Sequence, residues 1–382
     1  MRNLKRALSL ALAAIMLIGM MVVSASAVSY NDLTDKDQIV NKDAVSMLVS
    51  LGIIEGKPDG SYGPTENVDR AQMAKMLSVI MNKGVDNSAL YQSVNSGLTD
   101  ITSHWAKGHI NYCYTTGIIA GRGTGTFDPS ATVTALEAAK MLLVAVGYDP
   151  AIEGFEGADW AINVSVRADE QGIFEGFTKD LSAPLNRDDA ALLIYNALDV
   201  EMIQSYTTNN YPIVYSDHRT ILSDKYGVIK VEGVVTANEW AILDDDTDTA
   251  LQEGKTRIYN PDGILSTTGN TAVAQDSSAN VKTQVFNVST PVDMLGKAVT
   301  MYVKKTTILA DSTVYGAPVV SDVNTVIETG EKVTGGDSKD DDSLAALLKG
   351  TGLATDKATE YYHNYEEVAI DSADVDDIMN VK

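Results

Sequence analysis

The sequence predicts an α+β protein in two parts, an all-α threefold repeat over residues 28–200 followed by a mostly antiparallel β region, a sandwich or a barrel. Three observations predict it. A Gly-Ile-Ile-like triplet recurs as Gly52-Ile53-Ile54, Gly117-Ile118-Ile119 and Gly172-Ile173-Phe174. Each triplet is followed at near-constant distance by a polar cap and an apolar helix, opening at Asp69-Arg70-Ala71-Gln72, Thr134-Ala135-Leu136-Glu137 and Asn186-Arg187-Asp188-Asp189. Beyond about residue 200 the pattern gives way to short runs rich in β-branched and aromatic residues. A period of this size marks one supersecondary unit that cannot bury its apolar face alone and packs against its copies.

The first 27 residues read as a secretory signal peptide. Arg2, Lys5 and Arg6 form a basic head, Ala7 to Val23 an apolar stretch, and Ala25-Ser26-Ala27 a small-residue cleavage site, with cleavage expected after Ala27. The full chain carries 29 basic and 52 acidic residues, a formal charge of -23, and cleavage removes three cations and no acids. A chain this acidic repels phosphate backbones and anionic lipid, which argues against nucleic acid and, after cleavage, membrane as partners. One cysteine, Cys113, in an exported chain excludes an internal disulfide framework, and its setting in Tyr112-Cys113-Tyr114 fits a small buried apolar residue.

Within the repeats each copy reads as helix, Gly-rich loop, second helix. The second helices carry apolar residues in register: Met73, Met76, Leu77, Ile80; then Ala138, Met141, Leu142, Ala145; then Ala190, Leu193, Ile194, Ala197. That spacing is one face of an α-helix, and three such faces are expected to share a core. Asp69, Thr134 and Asn186 are the N-caps, with Gln72, Glu137 and Asp189 three positions on in the capping-box pattern, strict in the second copy and approximate in the others. The loop Gly121 to Gly125 has no strand leading in and no helix opening directly behind it, so its glycines read as turn residues and not as a phosphate cradle.

In the second half, Val228–Val235, Thr256–Tyr259, Gln284–Val288 and Ala298–Val303 read as strands. Residues 331–343 concentrate Gly, Asp, Ser and Lys as a linker does, ahead of a short helix near Leu344 to Leu348. Two acidic runs, Asp244 to Asp248 and Asp340 to Asp342, are the only candidates for Ca²⁺; neither has EF-hand spacing, and a solvated loop is the simpler reading. No other metal site or cofactor is expected. The four histidines show no HExxH or zinc spacing, no G-x-S-x-G element occurs, and carboxylate pairs are too common in so acidic a chain to mark a glycosidase. No catalytic residue is therefore assigned.

The segments His104-Trp105-Ala106, Gly117 to Gly121, Gly125-Thr126-Phe127-Asp128-Pro129 and Val133 to Glu137 resemble S-layer homology repeats. In such proteins these triplets fasten exported bacterial proteins to cell-wall polysaccharide. The resemblance covers about 170 residues and divides the chain into a signal peptide at 1–27, repeats at 28–92, 93–150 and 151–203, a β-rich domain at 204–330, and a polar linker with a C-terminal segment at 331–382. It implies a pseudo-threefold spindle around a central three-helix bundle, with inter-repeat grooves that hold a pyruvylated amino sugar of a secondary wall polymer. It also implies a non-enzymatic protein of the bacterial wall or S-layer whose β-rich half projects outward and packs into a lattice. The competing class is a surface enzyme or adhesin with its active module in the β-rich half or beyond this chain.

The family carries an Arg just after the cap, here Arg70 and Arg187, with Ala135 in its place in the second copy. Its first-helix aromatic is present as Trp105 and Trp160, each 12 residues before its Gly-Ile, where the first copy has Val40. An Arg at a helix start combines a planar cationic fork with a positive dipole end and suits a carboxylate, and an indole covers the C–H face of a sugar. The caps Asp69 and Asn186 and the loop residue Gly121 complete the candidate glycan-binding set. If a groove joins one copy's cap to the next copy's first helix, the complete pair is Arg70 with Trp105, the preferred reading; if the pair is internal, it is Trp160 with Arg187.

Overall fold

The structure, a computed structural model, describes residues 30–243, 250–260, 282–304 and 312–321, and the backbone of a short strand pair at 362–363 and 366–367. The signal peptide, both acidic runs considered for Ca²⁺, and the linker with its short helix lie outside the described residues. The chain divides into two compact units, the first ending at Ile213 and the second beginning at Val214.

Among the described residues the first unit has six α-helices: α1 (Lys42–Ser50), α2 (Arg70–Met81), α3 (Lys107–Thr115), α4 (Ala135–Ala145), α5 (Trp160–Glu170) and α6 (Arg187–Leu198). The recurring glycine has a specific cause. Gly52, Gly117 and Gly172 take positive φ of 70°, 79° and 70° just past α1, α3 and α5, where a residue with a Cβ is strained. In each case the following isoleucine donates its N–H back to the fifth residue before it, Ile53 to Leu48, Ile118 to Cys113 and Ile173 to Ala168. This is the Schellman closure, and its apolar residue, Ile53, Ile118 or Ile173, is buried.

The caps of α2 and α4 are full capping boxes: Asp69 with Gln72 and Thr134 with Glu137 exchange side-chain and backbone bonds. The third cap is one-sided, Asn186 Oδ1 accepting the Asp189 N–H at 2.8 Å. Behind the caps, Met73, Leu77, Ile80, Ala138, Met141, Leu142, Leu193, Ile194 and Ala197 are buried, as their spacing predicts.

The three copies close on one another in a ring. The N–H of Val68 donates to the carbonyl of Leu185 at 2.8 Å, Leu185 to Val133 at 2.8 Å, and Val133 to Val68 at 2.9 Å. These residues each precede a cap, so the three cap helices start from one knot. Around it α3 packs on α2, α5 on α4 and α1 on α6, so every lobe is built from two different copies. After α6, β1 (Ile203–Tyr206) turns into β2 (Pro212–Val214). The Ile203 N–H bonds the Val146 carbonyl at 2.8 Å and Tyr206 donates its hydroxyl to Glu153 at 3.0 Å, extending the first unit past the expected repeat end at residue 203.

The second unit holds β3 (Val228–Ala237), β4 (Thr256–Tyr259), β5 (Thr283–Phe286), β6 (Ala298–Lys304) and β7 (Val314–Val320) in one sheet of order β5-β4-β3-β6-β7. All neighbours are antiparallel. The return of β6 to the far side of β3 makes the first four strands a Greek key. One face collects Ile229, Val231, Val235, Ile258, Phe286, Val299, Met301 and Val303 into a core. Among the described residues these strands form a single sheet rather than two facing sheets or a closed barrel.

Candidate functional site

Each cap helix leans its first turn on the loop of another copy. In α2 the N–H of Arg70 donates to the Ala131 carbonyl at 2.9 Å and that of Ala71 to Pro129 at 3.0 Å; in α6 the N–H of Arg187 donates to Glu66 at 2.8 Å and that of Asp188 to Pro64 at 3.1 Å. With the next N–H taken by the cap, the orphan donors of the helix end are satisfied. This corrects the expectation that the helix N-terminus itself is open to an anion. What remains for a ligand is the charge of the side chains.

The side chain of Arg70 continues the docking. Its Nε donates to the Phe127 carbonyl at 2.8 Å and one terminal nitrogen to Ala120 at 2.9 Å, while the guanidinium lies 4.4 Å from the Phe127 ring centroid. Arg187 repeats this on Tyr62, with Nε on the Tyr62 carbonyl at 2.8 Å and the ring centroid 4.8 Å away. The third joint has neither partner: Ala135 stands in phase with the two arginines and Lys179 in phase with the two aromatics. Arg and ring are present or absent together, as expected of a pair that packs together.

Arg70 also lines a cleft of about 590 Å³. Its walls come from three copies: Arg70 from the first, Gly121, Arg122, Glu137 and Lys140 from the second, and Phe155 and Trp160 from the third. Lys140 holds its ammonium 5.6 Å above the Trp160 ring and donates to the Phe155 carbonyl. Glu137 links cap to cleft, since one oxygen accepts the Thr134 N–H at 3.2 Å and the other pairs with Arg122 at 2.9 Å. Burial pulls the Arg70 pKa down to about 10, helped by the charge of Arg122 and opposed by Glu137, Asp128 and Asp100. Burial likewise lowers Lys140, opposed by Glu156. Arg70 still carries its charge at neutral pH, so the cleft offers an indole wall beside three cations and two acids, Glu137 and Glu156.

The candidate residues therefore separate. Arg70, Gly121 and Trp160 share the cleft, whereas Trp105, Arg187, Asp69 and Asn186 do not line it. Arg70 shares the cleft with Trp160 and not with Trp105, because its guanidinium reaches forward onto the second copy's loop and the third copy closes the far side. Trp105 is 55% exposed, its ring 6.3 Å from that of His109. Gly121 has a packing reason to be glycine, since a Cβ there meets the Thr126 carbonyl at 2.9 Å. Arg122, Glu137 and Lys140 were absent from the candidate set. Repeat phase identifies them: Lys57 and Lys75 of the first copy stand in phase with Arg122 and Lys140.

The same count through the repeats lines up two further sets of residues. One gathers Arg187, Lys57 and Lys75 with Trp105, again three cations and an indole. The other has Ala135 and Leu192 where the observed cleft has Arg70 and Lys140, with Val40 in place of Trp160, and its pair Lys179–Asp189 at 2.5 Å parallels Arg122–Glu137. Among the described residues no group of three or more His, Cys, Asp or Glu gathers to hold a metal, and no helix is long and apolar enough to cross a membrane.

The family model for the S-layer homology domain matches residues 29–74 and 97–139. Two segments of the chain thus match the S-layer homology domain, and relatives it is similar to are named as cell-surface and S-layer proteins. It is 29% identical over 273 residues to a "Cell surface protein" of Thermoanaerobacter kivui, covering 70% of this chain and 32% of that protein. It is 33% identical over 113 residues to an "S-layer protein" of Bacillus licheniformis, covering 30% of this chain and 12% of that one. A third relative, "Exoglucanase XynX" of Acetivibrio thermocellus, is 28% identical over 192 residues, 46% of this chain and 17% of that protein. The chain thus spans about a third or less of the length of these curated relatives.

Proposed function

We propose that the first unit anchors the protein to the bacterial wall by binding an acidic, pyruvylated wall polysaccharide, and that its three copies act as a pseudo-threefold spindle around the cap-helix bundle. One observation carries this reading: Arg70, Arg122, Lys140 and Trp160 face one cleft of saccharide size. A pyruvyl ketal places a carboxylate on a sugar ring, so its ligand needs a cation and a flat apolar wall side by side. Lys140 over Trp160 supplies both at 5.6 Å. Arg70 has two of its nitrogens on backbone carbonyls and acts chiefly to hold the loop and charge the site.

The in-phase set Arg187, Lys57, Lys75 and Trp105 is read as a second such groove, and the third, with Ala135, Leu192 and Val40 in place of Arg70, Lys140 and Trp160, as inactive toward acidic sugar. The chain is read as non-catalytic, a structural or S-layer-associated protein. The relative named as an exoglucanase keeps a second reading open, in which the same anchor carries an enzyme. A pull-down with purified sacculi, before and after chemical removal of the attached polymer, tests the proposal. Binding is expected to vanish on stripping; binding that persists unchanged refutes an anchor specific for that polymer.

A further inference from the structure

The chain repeats one helix–helix joint three times, and a single one of the three buries a histidine. Where α3 packs on α2, His109 and Ser78 are both buried, with Ser78 Oγ 2.6 Å from His109 Nδ1. In phase with them stand Val164 on α5 and Leu143 on α4, both buried, and Ala44 on α1 and Tyr195 on α6. Exchanging both members of a hydrogen-bonded pair for apolar groups of like shape costs a fold little. Leu143 and Val164 therefore show what packing alone requires at this place, and the histidine calls for another reason.

Both ring nitrogens of His109 have a neighbour. Its Nε2 lies 3.6 Å from an oxygen of Asp86, in the link between the first and second copies. With the Nε2 proton toward that carboxylate, Nδ1 is left to accept the Ser78 hydroxyl. Ser78 has a second acceptor, the Lys75 carbonyl at 3.0 Å. A proton added at Nδ1 thus turns the hydroxyl from the ring to that carbonyl and leaves a cation inside the joint. Ser78 itself is buried within α2 and closed to a substrate, so the trio handles a proton only.

Two charged groups act on the ring, Asp86 from the link and Lys75 from α2, the latter paired with Glu55 at 3.2 Å. The turn Ser88–Tyr91 also packs on α3, and its titratable group, Tyr91, faces Tyr112 at 5.0 Å. Burial disfavours the cation, Asp86 opposes this and Lys75 adds to it; the imidazole is held below its ordinary value. Burial pushes Asp86 up, but its bonds to Ser88 outweigh that and hold it below the ordinary range, so it stays ionised here. A base depressed in the folded state stabilises the fold above its unfolded value, about 6.5, and that contribution is lost as pH falls through the folded value.

We propose that Ser78 and His109 form an acid-released latch, in which neutral His109 holds α3 on α2 and uptake of a solvent proton on Nδ1 loosens that joint. The exposed Trp105 stands four positions before His109 with its ring 6.3 Å away, so the latch also governs how firmly this indole is held. The inference is independent of the glycan reading.

The test is amide hydrogen exchange on the full mature chain, read peptide by peptide at about pH 7.5 and about pH 5.5, either side of the ordinary imidazole value, and corrected for intrinsic exchange rates. Protection of α3 is expected to fall severalfold on acidification, while that of α5, with Val164 in the same place, holds. Ser78→Leu combined with His109→Val installs the apolar pair of the α4–α5 joint and should abolish the response in α3. His109→Gln, which can accept the Ser78 proton but cannot take one up, should abolish it too, and keeps the test decisive if the double variant fails to fold. The His109 imidazole resonance of the wild type should titrate with its midpoint below the ordinary value. No loss of protection in α3, equal loss in α3 and α5, a folded variant that keeps the response, or a His109 midpoint above the ordinary value each overturn the proposal.

Discussion

Arg70 lies over the Phe127 ring at 4.4 Å, and both residues belong to different copies of the repeat. The contact turns a tandem sequence into a closed unit, since the start of one copy's cap helix is bolted to the next copy's loop by two charged hydrogen bonds and a ring. Arg70→Ala removes all three and leaves the Ala120 and Phe127 carbonyls short of partners. A destabilisation of about 2–4 kcal/mol is expected, read by urea unfolding monitored at the repeats. Arg70→Lys should recover only part of it, because an ammonium cannot serve both carbonyls in one plane.

Acid should loosen the same loops. Asp35 accepts the N–H of Tyr62 at 2.7 Å and of Gly63 at 2.8 Å, and Asp100 those of Phe127 at 2.9 Å and Asp128 at 2.7 Å. For both carboxyls burial pushes the pKa up, but the backbone N–H bonds outweigh it and hold the value below the ordinary one. A folded pKa that is depressed gives stabilisation present above the unfolded value and lost as pH falls through the folded one. The melting temperature should therefore fall below about pH 4. The double variant Asp35→Asn, Asp100→Asn should melt lower at neutral pH and show a shallower acid limb; a limb as steep as wild type would assign the acid loss to other groups.

Cys113 is fully buried, its Sγ 3.4 Å from the Ala74 carbonyl between α2 and α3. Burial pushes its thiol far above the ordinary range. Native protein should leave a water-soluble thiol reagent almost unconsumed, with full reaction in denaturant. Prompt labelling under native conditions would contradict the packing of α3 on α2.

The repeat, its caps and its glycine closures were legible because each is local: a Schellman turn needs Gly117 and Ile118 side by side, and a capping box needs Thr134 and Glu137 three apart. The partnership of Arg70 with Phe127 and Trp160 was not. It spans 57 and 90 positions and depends on which copy's loop a helix end meets, which linear order does not state. Glu137 was read as a cap alone because its second oxygen, on Arg122, lies across the loop. The β-rich half yielded its strands from β-branched runs, yet its strand order follows from the β5-to-β6 crossover, which has no local signature.

Gly121 marks where loop packing and site meet. Gly121→Ala places a methyl 2.9 Å from the Thr126 carbonyl and 3.3 Å from Leu98, so the loop carrying Arg122 must shift. A loss of about 1–3 kcal/mol in stability is expected, together with weaker sacculi binding at temperatures where the fold persists. Unchanged stability would show that the loop yields freely.

The most direct measurement is the affinity for purified, pyruvylated wall polymer of the full-length Arg122→Ala, Lys140→Ala double variant, made in a Lys57→Ala, Lys75→Ala background that removes the cations of the in-phase groove and compared with that background, beside Leu192→Ala compared with wild type. Neither cation makes the loop-holding bonds of Arg70, so the fold should survive. A loss of about tenfold or more is predicted for the double variant, on the scale of two charge-assisted contacts, with Leu192→Ala binding as wild type. Full affinity in a folded double variant would contradict the account.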